Sequence, residues 1–377
     1  MSTTDEHVAT VEQQRADLRA VLDRQRQAFV ADGPPTVGVR RNRIDRLLAL
    51  VLDNTDAFVD AMAADFGTRS RAASLFTEVV GMIPVIEHTR SHVAEWMRPH
   101  RIMRGSRFFG LRAEVESTPL GVVGIIGPWN FPLNLVVLPA TAAFAAGNRV
   151  MIKTSEVTPR TAELMKRLAP AYFDPDELRV VTGGPDLAAA FAGLPFDHLF
   201  FTGSPSVGAR VQRAASQNLV PVTLELGGKN PVVVAPDADV KRSATRIAKA
   251  RMVNGGQVCV CPDYVFVPDD RIETFVDVAR DTLRGMFPAI VGNDDYCSSV
   301  NAANFDRVVG LIDDGMRIAN DEIFGPVLVV MEYSRLADVI DYVNARPAPL
   351  VAYWYGPDGE DFRAFVANTR SGGVARN

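Results

Sequence analysis

Residues 254–264 read NGGQVCVCPDY and place two thiols, Cys259 and Cys261, just after a Gly-Gly pair. The chain has three cysteines in all. Thiols this close serve metal binding, a disulfide or nucleophilic attack. A zinc site takes four ligands, whereas only Cys297 remains as a further thiol, and the last of five histidines is His198. No metal site is expected. A disulfide between cysteines one residue apart would close a very tight ring. Burial as a small apolar side chain is the ordinary use of a cysteine seen without context. Gly255-Gly256 before the pair and Pro262-Asp263 after it argue instead for a loop following a helical stretch at 239–253. Exposure and backbone amides in such a loop favour a thiolate.

Carboxylates supply the next chemistry. TLELGGKNP sets Glu225 between Leu224 and Leu226, just before Gly227-Gly228. Desolvation there would raise its pKa toward that of a general base, and an edge-strand Glu facing water fits the pattern equally well. DEIFGPV places Glu322 ahead of Phe324 and Gly325-Pro326; alone it reads as a turn. FFTGSPSVGARVQRAA puts Gly203, Ser204 and Gly208 where a strand gives way to a helix. Helix N-terminal amides favour phosphate there, although the glycines do not form a GxGxxG fingerprint and a plain turn fits as well. MIKTSE ends a strand with Lys153 and Glu156, which suit ribose hydroxyls or simply a solvated loop.

The elements that must position these residues form one pattern. Apolar, β-rich runs occur at 121–126, 149–153, 178–183, 197–203 and 231–236, with helical stretches at 157–168 and 206–216 between them. Such alternation predicts parallel α/β architecture. The spacing also predicts a helix over 40–66 that stops at Gly67. The uncharged stretch from Leu120 to Gly147 is long enough to cross a bilayer. Pro128, Pro132 and Pro139 interrupt it, so it reads as a buried strand, a loop and a buried helix.

Composition narrows the class. The 377 residues are 47% hydrophobic and 23% charged, which suits more than one globular domain. A net charge of −5 gives no electrostatic case for nucleic acid. The polar N-terminus lacks an apolar signal core, and the few cysteines fit a reducing compartment; a cytoplasmic protein is expected.

GPWNFP, GNRVMIKTSE, FTGSPSVG, LELGGKNP, GQVCVCPDY and EIFGPV, in this order, resemble the NAD(P)-dependent aldehyde dehydrogenases. The resemblance runs from the helix at 40–66 to the closing SGGVARN. It is nearest to the branch containing coniferyl aldehyde dehydrogenases and the fatty and aromatic aldehyde enzymes. It implies an α/β fold with a Rossmann-type NAD(P)-binding domain over 1–103 and 120–228, an oligomerisation hairpin at 104–119, and an α/β catalytic domain over 229–377. It implies roles as well: Cys259 as nucleophile, Glu225 as general base and Asn130 as oxyanion donor. Trp129, Lys153, Glu156, Gly203, Ser204, Gly208, Glu322 and Phe324 would hold the NAD or NADP. Cys261 and Cys297 would pack, Cys261 with a side risk of oxidation against Cys259.

Two departures stand out. The span from Cys259 to Glu322 is shorter than the family's, with an abrupt junction near 315/316, and the family continues past SGGVARN into a segment that closes the substrate tunnel. The expected activity is oxidation of an aromatic aldehyde such as coniferaldehyde, or of a long-chain aldehyde, to its acid. Homodimers or higher homo-oligomers are the expected assembly, with no nucleic-acid or membrane partner. The shortened chain leaves room for a non-catalytic cofactor-binding or interaction protein. A CoA-acylating relative is a further alternative, against which Glu225 argues, since that base serves the water step.

Overall fold

The computed structural model describes residues 3–102, 110 and 113–377. The chain divides into two compact units, one of residues 1–65 and 74–225, the other of 66–73 and 226–377.

In the first unit a five-stranded sheet runs in the order β5-β4-β3-β6-β7. Its strands are β3 (Val122–Ile126), β4 (Arg149–Lys153), β5 (Leu178–Val181), β6 (His198–Gly203) and β7 (Val222–Leu226). The pairs β5–β4, β4–β3 and β3–β6 are parallel. All of β3 and β4 is buried, which explains their unbroken apolar runs: a parallel strand covered on both faces needs no polar alternation. The stretch from 120 to 147 is β3, a loop and the helix Asn134–Ala145, which keeps Pro139 inside it. Among the described residues no helix is long and apolar enough to cross a membrane.

The helix expected over 40–66 is two helices, Val37–Leu52 and Thr55–Phe66. Polar side chains make the break. Asn54 Nδ2 donates to Leu50 O at 2.9 Å and Thr55 Oγ1 to Val51 O at 3.0 Å, offering the last carbonyls other partners. Gly67 does end the second helix, with φ at +79°. Upstream, a helix over Thr3–Asp32 buries Leu18, Leu22 and Gln25 along one stripe.

Two short strands, β1 (His100–Arg101) and β2 (Glu114–Val115), pair antiparallel. β2 lies inside the expected hairpin at 104–119 and β1 just before it; of that hairpin, residues 104–109 and 111–112 lie outside the described residues.

The second unit holds another five-stranded sheet, ordered β10-β9-β8-β11-β12. It comprises β8 (Pro231–Val234), β9 (Tyr264–Pro268), β10 (Val329–Tyr333), β11 (Val351–Tyr355) and β12 (Gly373–Arg376), each pair parallel. Its core is separate from that of the first unit. Val232, Val233 and Val234 are fully buried, each side chain contributing about 1.5–3 kcal/mol.

One buried carboxylate sets the loop that follows β3. Glu78 lies in a π-helical turn, Leu75–Val79, and is fully buried. Its Oε2 accepts the backbone N–H of Asn134 at 2.8 Å and of Leu133 at 3.3 Å, placing negative charge at the positive end of helix 134–145. Asn134 Nδ2 returns a bond to Thr77 O at 2.7 Å. Glu78→Ala takes this acceptor from the buried Leu133 amide and the part-buried Asn134 amide and is expected to destabilise the protein by about 2 kcal/mol. Glu78→Gln, which keeps one acceptor, loses less; thermal melting of the two variants measures the difference.

Candidate active site

The expected functional residues fall into two sets, one in each unit. In the first unit the chain starts at β3, steps outward to β4 and β5, then returns to β6 on the other side of β3. The reversal between β3 and β6 makes a switch point, the place where open α/β sheets bind ligands. Trp129 and the buried Asn130 follow β3, Lys153 and Glu156 end β4, and Ser204 follows β6. Lys153 is 1% exposed, so its ammonium needs a partner; Nζ donates to Glu156 Oε2 at 2.5 Å. Ser204 caps the helix Pro205–Ser216, its Oγ accepting from Val207 N at 3.4 Å. Gly208 is buried in the first turns of that helix. A dinucleotide fits this set: helix amides for phosphate, a Lys–Glu pair for hydroxyls, and strand ends that converge.

Of the two readings left open for Glu225, the edge-strand carboxylate facing water is the one observed. It is exposed on β7, the last strand of the sheet order, so its own unit does not bury it.

In the second unit the helix Val240–Arg251 leads into the turn that carries the thiols. Asn254, Gly255 and Gly256 have φ of +51°, +63° and +75° in succession. A Cβ on Gly255 would lie 2.6 Å from Cys297 O, and one on Gly256 2.1 Å from Gly325 O, so neither position admits a side chain. Beyond the turn, Cys259 is half-exposed. Asn230 Nδ2 donates to Cys259 O at 2.8 Å and to Cys261 O at 3.0 Å, and so fixes the loop's backbone.

The other thiols turn inward. Cys261 Sγ lies 3.6 Å from Arg251 O and 3.7 Å from Ala250 O, and burial pushes its pKa up to about 11. An inward thiol that holds its proton is a poor partner for oxidation against Cys259. Cys297 Sγ donates to Asn254 Oδ1 at 3.1 Å, and burial raises its pKa to about 11 as well. None of the three forms a disulfide.

The desolvated carboxylate is Glu322, which the sequence presented as part of a turn. Burial lifts its pKa to about 7, although the Gly228 N–H donates to it and opposes the rise. Its oxygens stand 2.5 and 2.6 Å from where a Cβ on Gly227 would be, so Gly227 must lack one. Arg307 holds the next carbonyls: Nη2 donates to Ile323 O at 2.9 Å and Phe324 O at 3.2 Å. Phe324 is kept at φ +46°, an uncommon conformation for a bulky residue.

Four residues that sequence reading passed over organise this set: Asn230, Arg251, Asp263 and Arg307. A signal existed for Lys229-Asn230 and Asp263. Each abuts a wholly apolar strand, PVVV or YVFV, where a polar residue must be buried with partners.

The sequence profile of the aldehyde dehydrogenase family matches residues 2–315 and, again, 307–377. The chain is 40% identical to the coniferyl aldehyde dehydrogenase of Pseudomonas sp. (strain HR199 / DSM 7063), over 398 aligned residues that cover 96% of this chain and 82% of that protein. It superposes on substrate-bound Staphylococcus aureus AldH with a TM-score of 0.90 at 29% identity, covering 95% of this chain and 84% of the other. A cysteine-to-alanine variant of aldehyde dehydrogenase C from Pseudomonas syringae, in complex with NAD+ and octanal, gives a TM-score of 0.85 at 26% identity, with 96% and 81% covered.

The raised pKa of Glu322 links stability to pH. A solvated glutamate carboxyl ionises near 4.5, so the unfolded chain loses the Glu322 proton there while the folded chain holds it up to about 7. The unfolded state therefore binds fewer protons in this window, and stability falls as pH rises through it. Glu322→Gln removes that cost. Its melting temperature is expected to gain on the wild type between about pH 5 and about pH 8, with the gain complete above the folded pKa. Paired melts across that range read it directly.

Proposed function

Since the chain belongs to the aldehyde dehydrogenase family and is an NAD(P)-dependent aldehyde dehydrogenase, we propose that it oxidises coniferaldehyde or a related aromatic or long-chain aldehyde to the acid, using Cys259 as nucleophile. The observation that carries this is the setting of Cys259: half-exposed, beyond a left-handed glycine turn, with Asn230 bonded to its carbonyl.

The Cys259 thiolate adds to the aldehyde carbon and the carbonyl oxygen becomes an oxyanion. The Asn130 amide and the Cys259 backbone N–H donate to that oxyanion; losing one such donor costs about 3 kcal/mol of barrier. NAD or NADP, when bound, supplies the hydride acceptor. Once hydride has left carbon, Cys259 carries a thioester. Glu225 takes a proton from water, the resulting hydroxide attacks the thioester, and the acid leaves as the thiolate reforms. Solvent contact at Glu225 suits delivery of that proton to bulk water.

Lys153, Glu156, Ser204 and the N-terminus of helix 205–216 would hold the adenosine and phosphates, with Gly203 and Gly208 giving close approach. Trp129, Glu322 and Phe324 would hold the nicotinamide end. The antiparallel β1–β2 stem supports assigning 104–119 to an oligomerisation hairpin.

Purified protein is expected to form NADH or NADPH from coniferaldehyde without CoA. Cys259→Ala should lower that rate by at least about a thousandfold. Glu225→Gln should release about one equivalent of reduced cofactor per chain in a burst and then stall at the thioester. Turnover by Cys259→Ala, or a rate that needs CoA, would overturn the mechanism.

A further inference from the structure

A cluster of charge lies buried behind Cys259 in the second unit, and the proposed reaction does not use it. Asp263, Arg251 and Lys229 are 2%, 2% and 8% exposed. Lys229 Nζ donates to Asp263 Oδ2 at 2.7 Å, and Arg251 Nη1 to Asp263 Oδ1 at 3.1 Å. Buried ion groups of this kind are weak sources of stability, since apolar residues of like volume often do as well. What they supply is fixed geometry where their polar atoms are bonded; here both Nη atoms of Arg251 are bonded, while its buried Nε has no hydrogen-bond partner.

The bonds here join two loops. Arg251 Nη1 also donates to Pro262 O at 2.6 Å, on the Cys259 loop, while Nη2 donates to Gly325 O, on the loop of Glu322 and Phe324. Asp263 accepts the backbone N–H of Ile323 at 3.2 Å, next to Glu322. Lys229 Nζ reaches Asp321 O at 2.9 Å on the other side of Glu322. Lys229 itself follows Gly228, whose N–H donates to the Glu322 carboxylate. Independently of these charges, Gly256 packs against Gly325 O with no room for a Cβ.

We propose that Asp263, acting through Arg251 and Lys229, is a positioning residue that sets the Cys259 loop in register with the Glu322–Phe324 loop. A shift of either loop by more than a hydrogen bond's slack would strand a buried charge. The inference rests on the reading above, in which Cys259 is the nucleophile and Glu322 faces the cofactor.

Two variants test it in the full chain. Asp263→Asn keeps the shape and leaves two buried cations unpaired. Arg251→Lys keeps the charge opposite Asp263 but has one head in place of a fork, so it cannot hold Pro262 O and Gly325 O together. It decides the question if Asp263→Asn does not fold. Each is expected to raise the cofactor KM about tenfold and to slow iodoacetamide alkylation of Cys259, read by peptide mass, by a similar factor. In a Glu322→Gln background the further rise in cofactor KM should vanish, because the loop no longer carries the group that the clamp aims.

Folded variants with unchanged cofactor KM and unchanged Cys259 alkylation overturn the clamp, as do effects that multiply independently with Glu322→Gln. Failure of the underlying reading looks different. Then Glu322→Gln alone leaves cofactor KM unchanged, or Cys259→Ala still turns over, while the alkylation rate in Arg251→Lys continues to report the loop geometry.

Discussion

The carbonyl of Gly325 occupies the space that a side chain on residue 256 would need. This contact between two backbones governs how the second unit holds its candidate site residues. It requires glycine at 256, the last residue of the left-handed turn over 254–256 that leads to Cys259. It also brings the Cys259 loop against the loop of Glu322 and Phe324 without an intervening side chain. Backbone packed on backbone presents polar groups that must be bonded. Arg251, Arg307 and Asp263 meet that demand at Gly325 O, at the carbonyls of 322–324 and at Ile323 N.

Two carboxylates show that burial is set by the fold rather than by neighbours in the sequence. Glu225 has apolar neighbours along the strand, but successive residues face opposite sides, and on an end strand such neighbours bury nothing. Glu322 has a turn-like neighbourhood, yet the fold brings the Gly227-Gly228 backbone beneath its oxygens. Burial at Glu322 thus comes from residues far away in sequence, which local pattern cannot report.

Legibility followed the same division. Strands β3, β4, β6 and β8 were readable because each holds an apolar run bounded by Gly, Pro, polar or charged residues, and β5 was readable as a short apolar run interrupted by Arg179. The broken helix at 53–54 was not, because a hydrophobic stripe continues across it while the hydrogen bonds of Asn54 and Thr55 divide it. Helix 3–32 was passed over because its buried stripe is sparse, with Gln25 standing at a core position and bonded to Val150 O. In the site, the motif residues announced themselves by glycine and cysteine chemistry. The charged residues that bind their loops together did not, because a lone Asp or Arg beside a strand resembles any surface charge until its partners are known.

The helix Ala302–Ile312 holds the Glu322 loop within the second unit although the Pseudomonas relative has residues that this chain lacks: their alignment spans 398 residues, more than the chain contains. Phe305, Val309 and Ile312 are exposed on one face of this helix, and Met316 is exposed just beyond it. Their spacing is that of a face a helix ordinarily buries. The two matches to the family profile meet here, overlapping at 307–315. The opposite face is fully engaged. Val308 packs where a Cβ on Gly325 would go, Leu311 is buried, and Arg307 bonds the carbonyls of Glu322, Ile323 and Phe324. The apolar exposure therefore falls on the face that holds no site residue. The geometry of Glu322 depends on Arg307 and Val308, and the exposed apolar residues of the helix take no part in it.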